Sequence, residues 1–563
     1  MFHVEHTLKT TDNKLYMNNS FSVEGNIVDV VKRLIFKGKI TVLNGRIFTI
    51  EECNVESELF ILPGLIDSHI HIESSMMTPS SFAELAVRKG TVAVVSDPHE
   101  ICNVLGVEGL NFMLDDAKKA NLKFFFGAPS CVPATNFESS GAEIDYKQIE
   151  NLMKRDDIWF LSEMMNFPSV INNDFETIEK LNSAKKYKKP IDGHAPMISG
   201  NNLKSYFNSG ISTDHECTDI DEAIEKIKNN VKIQIREGSA AKNFDKLASL
   251  IDLYPESVMF CSDDLHPDDL YIAHIDKFIR KSLKFNLNIF NILRASSYNP
   301  KYHYNLPVGL LQIGDSADFI VVDTLEDFNV QQTYINGEKI FDYKQDSKNV
   351  ENTIKINKFR TNLINEEDII IEAKFDKIKV IVVEDGNLFT KSETLNAKIV
   401  NNKAISDIDN DIIKIVVLNR YSENSLPAVA FIKNFGLKSG ALAASIAHDS
   451  HNIIAIGVDD KSIIESINKI IELKGGIVAH NNEKIDFLQL DIAGLMSSKD
   501  GVFIANSYSK LNEIAYSLGS TLKSPFMTMS FMALLVIPEL KISDKGLFDS
   551  INFEFTNLFY TNS

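Results

Sequence analysis

The stretch "PGLIDSHIHIESS", Pro63 to Ser75, carries His69, His71 and Glu73 at every second position. In an extended strand alternate side chains share a face, so three metal-competent groups would stand together. Alone, a His-x-His pair also suits a polar strand surface, and later segments must decide. Glu163 in "DIWFLSEMMN", His194 in "KPIDGHAP", His215 in "GISTDHE" and Asp263 or Asp264 in "SVMFCSDDLHP" each close a short apolar run. Imidazoles with carboxylates suit zinc, manganese or iron, and a carboxylate can bridge two such ions. Two ions sharing a hydroxide lower its pKa toward neutrality and so provide a nucleophile. Adjacent strand residues face opposite ways, so only one of Asp263 and Asp264 is expected to reach the metals.

The elements that must position these groups are legible as a series. From Leu65 the chain reads "LIDSHIHIE", "TVAVVSDPHE", "LKFFFGAPSC", "DIWFLSEMMN", "KPIDGHAP", "GISTDHE", "VKIQIREGS" and "SVMFCSDDLHP". These eight strand-like runs are separated by segments of helical periodicity such as "PSSFAELAVRKG" and "IDEAIEKIKNN". The alternation predicts an α/β fold in which a (β/α)8 TIM-like barrel carries its chemistry at the C-terminal mouth. Asp and Ser at a strand end often only cap the next helix, but eight polar strand ends in a row go beyond capping.

Composition bounds the rest. At 563 residues two or three domains are expected, and 44% hydrophobic with 24% charged residues is a globular balance. A formal net charge of −19 disfavours general affinity for nucleic acid or anionic membrane. The start, "MFHVEHTLKTTDNKLYMNN", lacks a basic region followed by an apolar run, and "FMTMSFMALLVIPEL" is too short and interrupted to span a bilayer. A cytoplasmic protein with no membrane partner is therefore expected. Cys53, Cys102, Cys131, Cys217 and Cys261 form no Cys-x-x-Cys pair, so neither a disulfide framework nor a thiolate zinc site is indicated.

"PGLIDSHIH" resembles the first-strand signature of the amidohydrolase superfamily. The longer segments "HIHIESSMMTPSSFAELAVRKGTVAVVSDPHEICNVLG", "SCVPAT", "EMMNFP", "DGHAP", "TDHE", "IREGSAAKN" and "CSDDLHPDDL" resemble the adenine deaminases within it, as do "GLKSGALAASIAHDSHNI" and "PFMTMSFMALLVIPELKISDKGL". The similarity runs from about Ile40 to Asp549. It implies a metal set of His69, His71, Glu163, His194, His215 and Asp263, with Glu163 as the bridge, since "FLSEMMN" offers no lysine to be carbamylated. It also implies two divalent ions, manganese foremost with iron or zinc also accommodated, and hydrolysis of adenine to hypoxanthine and ammonia. Another amidohydrolase activity, on a related aminopurine or a cyclic amide, is the alternative.

Deamination requires hydroxide attack on the amine-bearing carbon, protonation of the neighbouring ring nitrogen and protonation of ammonia. Asp263, Glu100 and Asp97 are the expected catalytic carboxylates. Glu73, His99, Arg236, Glu237 and His266 are expected to contact adenine, with Glu73 just past the strand end and lining the pocket. Arg236 and Glu237 could instead pair with each other, and His266 could be a solvated loop residue.

The flanks "GKITVLNGRIFTIEE" and "GDSADFIVVDTLEDFNVQQTYINGEKIF" alternate like β segments and are expected to join in a small β domain. After the linker-like "DYKQDSKNVENTIKINKFRTN", the runs "IIIEAKFDKIKVIVVE", "DIIKIVVLNR" and "IIAIGV", with the glycine-closed helix "DDKSIIESINKIIELKGG", predict an α/β domain. Expected boundaries are 1–62 and 306–345 for the small β domain, 63–305 for the barrel and 346–563 for the C-terminal domain. The motif "AHDSHN", with His448, Asp449, Ser450 and His451, reads first as a polar turn; a second reading has it reach the barrel mouth. A homodimer is expected, as for many large enzymes.

Overall fold

The computed structural model describes residues 20–344, 355–481 and 483–560. The start at residues 1–19 and part of the linker-like segment lie outside the described residues.

The expected parallel strands are present. Leu65–Ile70, Thr91–Ser96, Lys123–Ala128, Ile158–Met164 and Ile191–Gly193 form one curled parallel sheet in chain order, and Thr213–Asp214, Lys232–Arg236 and Val258–Cys261 form a second. Their side chains are almost all buried, as parallel strands covered on both faces require. At one seam Ser212 N donates to Ile191 O at 2.9 Å. At the other, Asp263 N donates to His69 O at 3.0 Å and His71 N to Asp263 O at 3.3 Å. Asp67 braces this second seam: its carboxylate accepts from the backbone N–H groups of His69 and Ser262, and its other oxygen lies 2.8 Å from His274 Nε2.

Helices fill the connections. Asp219 caps Ile220–Lys228 by accepting from Glu222 N, and a reciprocal capping box of Asp145 and Gln148 starts Tyr146–Met153.

The two β flanks join in one seven-stranded sheet. Its central step pairs Phe60–Pro63 with Phe319–Val322 in antiparallel register, Pro63 opposite Phe319. The sheet therefore brackets the parallel strands from both ends in sequence.

The C-terminal part is built on an eight-stranded sheet running from Lys391–Asn396 to Ile485–Gln489, antiparallel except where Lys377–Val382 lies beside Ala428–Lys433. This differs from the α/β expectation, because hairpins dominate over crossovers. In "IIIEAKFDKIKVIVVE" only Lys377–Val382 is a named strand. The helix Asp460–Leu473 ends on Lys474, at φ +54, with Gly475 following, so the lysine and not the glycine occupies the first left-handed position. Among the described residues no helix is long and apolar enough to cross a membrane.

Candidate metal centre

The strand Leu65–Ile70 ends between the two histidines, and a 3-10 turn, Ile72–Ser75, follows. His69 and His71 are buried, their rings 4.9 Å apart and nearly perpendicular. His71 Nδ1 is 3.1 Å from Asp97 O, which turns Nε2 toward the centre.

Glu163 lies among five imidazoles, with His99 Nδ1 3.6 Å from its Oε1. Its Oε1 is 3.2 Å from His71 Nε2 and 4.0 Å from His69 Nε2; its Oε2 is 2.6 Å from His194 Nδ1 and 3.2 Å from His215 Nε2. Burial opposes its ionisation, yet His194 and the other imidazoles hold it well below the usual carboxylate range. Asp263 Oδ1 faces His71 Nε2 at 3.2 Å and His69 Nε2 at 3.6 Å, while Oδ2 takes Arg236 Nη1 at 2.5 Å. Burial again opposes ionisation, and Arg236 together with the imidazoles of His69, His71 and His215 outweighs it.

The strand Val258–Cys261 has ended before Asp263, which adopts a left-handed backbone at φ +54, a region aspartate tolerates better than most residues. The alternation expected of Asp263 and Asp264 therefore does not apply. Both line the cleft, Asp263 toward the imidazoles and Asp264 with Oδ1 accepting from Ser74 Oγ at 2.5 Å.

The donor set fits a divalent metal. Both ring nitrogens of His69, Nε2 of His194 and Nδ1 of His215 are buried without a hydrogen-bond partner among the described residues, which is costly unless a ligand takes them up. Ligand-type atoms of His69, His71 and Asp263, and of His69, Glu163 and His215, lie within 4.8 Å of one another.

Of the other expected residues, some line the cleft and others do not. His99, Glu100 and Arg236 line the cleft. Glu100 has both oxygens occupied: Oε1 by His448 Nδ1 at 2.7 Å and Oε2 by His451 Nε2. Asp97 stands behind His99, capping its backbone N and lying 3.1 Å from its Nδ1, with a carboxylate oxygen within 4.8 Å of ligand-type atoms of His71, His99 and Glu163. Glu73 also falls behind the wall, because the 3-10 turn carries it back to accept from Ile101 N. Its burial pushes the carboxyl up to about 7. Glu237 pairs with Lys281 at 2.9 Å and not with Arg236. His266 is neither at the cleft nor solvated; it is buried, with Nδ1 2.5 Å from the Tyr508 hydroxyl.

Glu216 and an apolar wall escaped the sequence reading, whereas the second reading of "AHDSHN" had the turn reach the mouth. Glu216 accepts from Arg236 and lies 3.6 Å from His215 Nε2; its signal was its place directly after His215 in "TDHE". The turn "AHDSHN" is polar, as read, and delivers His448 and Asp449 to the cleft. Burial pushes the Asp449 carboxyl up to about 7. Phe531, Leu534 and Ile537, from the run judged only for its length, form an apolar wall with Leu388, and Phe531 stacks on His448 at 4.4 Å.

Comparison with known proteins shows the family. Residues 60–340 match the amidohydrolase family, and residues 387–554 match the adenine deaminase C-terminal domain. The chain is 54% identical over 546 residues to the adenine deaminase of Methanosarcina acetivorans, covering 95% of this chain and 99% of that one. It is 50% identical over 537 residues to that of Sulfurovum sp., covering 95% and 98%, and 46% identical over 544 residues to that of Borreliella burgdorferi, covering 95% and 99%. With a buried imidazole and carboxylate centre in the first matched region and the cleft wall supplied by the second, the chain belongs to the adenine deaminase family.

Proposed function

We propose that this protein hydrolyses adenine to hypoxanthine and ammonia at a centre of two divalent ions, manganese foremost. The observation that carries this reading is Glu163, whose Oε1 faces His71, His99 and His69 while its Oε2 faces His194 and His215, so that each oxygen has its own group of imidazoles, as a carboxylate bridge requires. His69, His71 and Asp263 would hold one ion and His194 and His215 the other. When bound, the metal supplies Lewis acidity and lowers the pKa of water.

The chain's own groups do the rest. Asp263, held ionised by Arg236, is placed to accept a proton from the attacking water at its Oδ1. The new bond is C6–O and the broken bond is C6–N6. One water proton leaves with ammonia, and the other ends on ring N1 of hypoxanthine. Glu100 stays fixed between His448 and His451, where it aligns the turn bearing Asp449. Asp97 acts on the centre through His71 and His99. The apolar wall around Phe531 excludes bulk water.

We further assign the eight parallel strands to one closed (β/α)8 barrel, supported by the hydrogen bonds at both seams, with divisions at 62, 305 and 345. Metal analysis of protein purified without added metal, coupled to ammonia release from adenine, adenosine, guanine and cytosine, tests the function. Ammonia with equimolar hypoxanthine from adenine is expected, and none from adenine with fully loaded metal would overturn the reading.

A further inference from the structure

Asp449 carries an oxygen that no described residue hydrogen-bonds. Its Oδ2 is buried and has no hydrogen-bond partner among the described residues; the nearest positively charged candidate, His99 Nε2, is 3.9 Å away. The residue is 3% exposed and lines the same cleft as His71, Glu163 and Asp263. A buried carboxylate oxygen without a donor is expensive, and native sites keep such a group where a ligand completes it. The neighbouring acids are engaged: Glu100 by His448 and His451, Glu216 by Arg236, and Asp264 by Ser74. Phe531, Leu534, Ile537 and Leu388 line the same cleft, so it offers a hydrophobic face beside this free acceptor.

The chemistry of a 6-aminopurine decides what such an acceptor can take. N1, N3 and N7 are themselves acceptors, and the exocyclic amine is the group being displaced. The remaining donor is the N–H of the five-membered ring. In a nucleoside that nitrogen bears a sugar and can donate nothing. We propose that Asp449 accepts the imidazole-ring N–H of the purine, making the turn of the C-terminal sheet the element that admits the free base and rejects N9-substituted purines. This rests on the adenine-deaminating function proposed above.

The ratio of kcat/KM for adenine to that for 9-methyladenine tests the assignment, read with the affinity for hypoxanthine and 9-methylhypoxanthine by calorimetry. Wild-type protein is expected to favour adenine by more than about 1000-fold, because a site built to pair with a substrate N–H strongly rejects the analogue lacking it. Asp449→Ala should reduce that ratio at least about 10-fold, chiefly through KM for adenine, and should weaken hypoxanthine binding while sparing its 9-methyl analogue. Asp449→Asn keeps the volume and should fall between, and it serves if the alanine variant does not fold. A ratio unchanged within about 2-fold in both variants, with wild-type deamination intact, would overturn the role of Asp449 alone. Absence of ammonia from adenine with wild-type protein would overturn the underlying function as well.

Discussion

Glu163 shows how much one carboxylate can be asked to hold. Imidazoles surround both of its oxygens, so replacing one oxygen by an amide removes half of the bridge while leaving the volume unchanged. Glu163→Gln is expected to lower bound metal below that of wild type and to cut kcat by more than about 100-fold, exceeding the effect typical of residues that merely orient ligands. Metal per chain by atomic emission, beside turnover, checks both. His266 gives a residue-scale test that does not involve the reaction. Burial, with the nearby His448 charge, pushes its folded pKa to about 3, against about 6.5 for an unfolded histidine. Between those values the unfolded chain binds the proton and the folded one does not. Stability present above pH 6.5 is therefore lost as pH falls toward 3. From pH 6.5 to 4.5 this amounts to about 2 to 3 kcal/mol. His266→Gln should show a correspondingly shallower fall in urea midpoint over that interval, and an equal fall in both proteins would refute the account.

At the scale of elements, the parallel strands tolerate little added volume where they carry the ligands. Gly193 ends the strand Ile191–Gly193 just before His194, and a Cβ there would stand 2.4 Å from the Thr213 carbonyl oxygen of the next strand. Gly193→Ala must separate the strands or shift His194, so loss of metal with retained circular dichroism is expected; full metal content would show that the strands adjust without moving the ligand. The same elements show what could be read without coordinates. Strand ends at His69, Glu163, His194 and His215 were legible because an apolar run closing on a polar residue is a local pattern. The fate of Glu73 was not, because strand alternation was extended across a 3-10 turn that periodicity does not announce. Asp263 and Asp264 posed the same problem, since a left-handed residue breaks the rule used to separate them. Glu100 and Asp449 were singled out, but their partners were hidden for another reason: those neighbours are more than three hundred residues away along the chain. No local signal encodes such contacts.

The whole molecule is joined through those distant contacts. Glu100 with His448 and His451, and His266 with Tyr508, pin the C-terminal sheet and its helix Gly501–Ser517 onto the parallel strands. The single tryptophan, Trp159, packs edge-on against Phe125 at 4.7 Å within those strands and so reports on their integrity. Far-UV circular dichroism reports on both halves. In wild-type protein the two signals are expected to change together on denaturation, the mark of one cooperative unit. Glu100→Gln weakens the junction at its centre and should separate the two transitions; coincident transitions in the variant would place the coupling elsewhere.

The pin at Glu100 also orders events in time. Every proposed metal donor lies between His69 and Asp263, whereas the wall that would receive a purine is spread from Leu388 to Ile537. During synthesis, with N-terminal segments emerging first, the chain releases its full set of ion-binding side chains well before the surface that shapes the substrate. The proposed donors are thus complete in the chain before the base-receiving wall exists, and the contacts of His448 and His451 with Glu100 are what bring the two together.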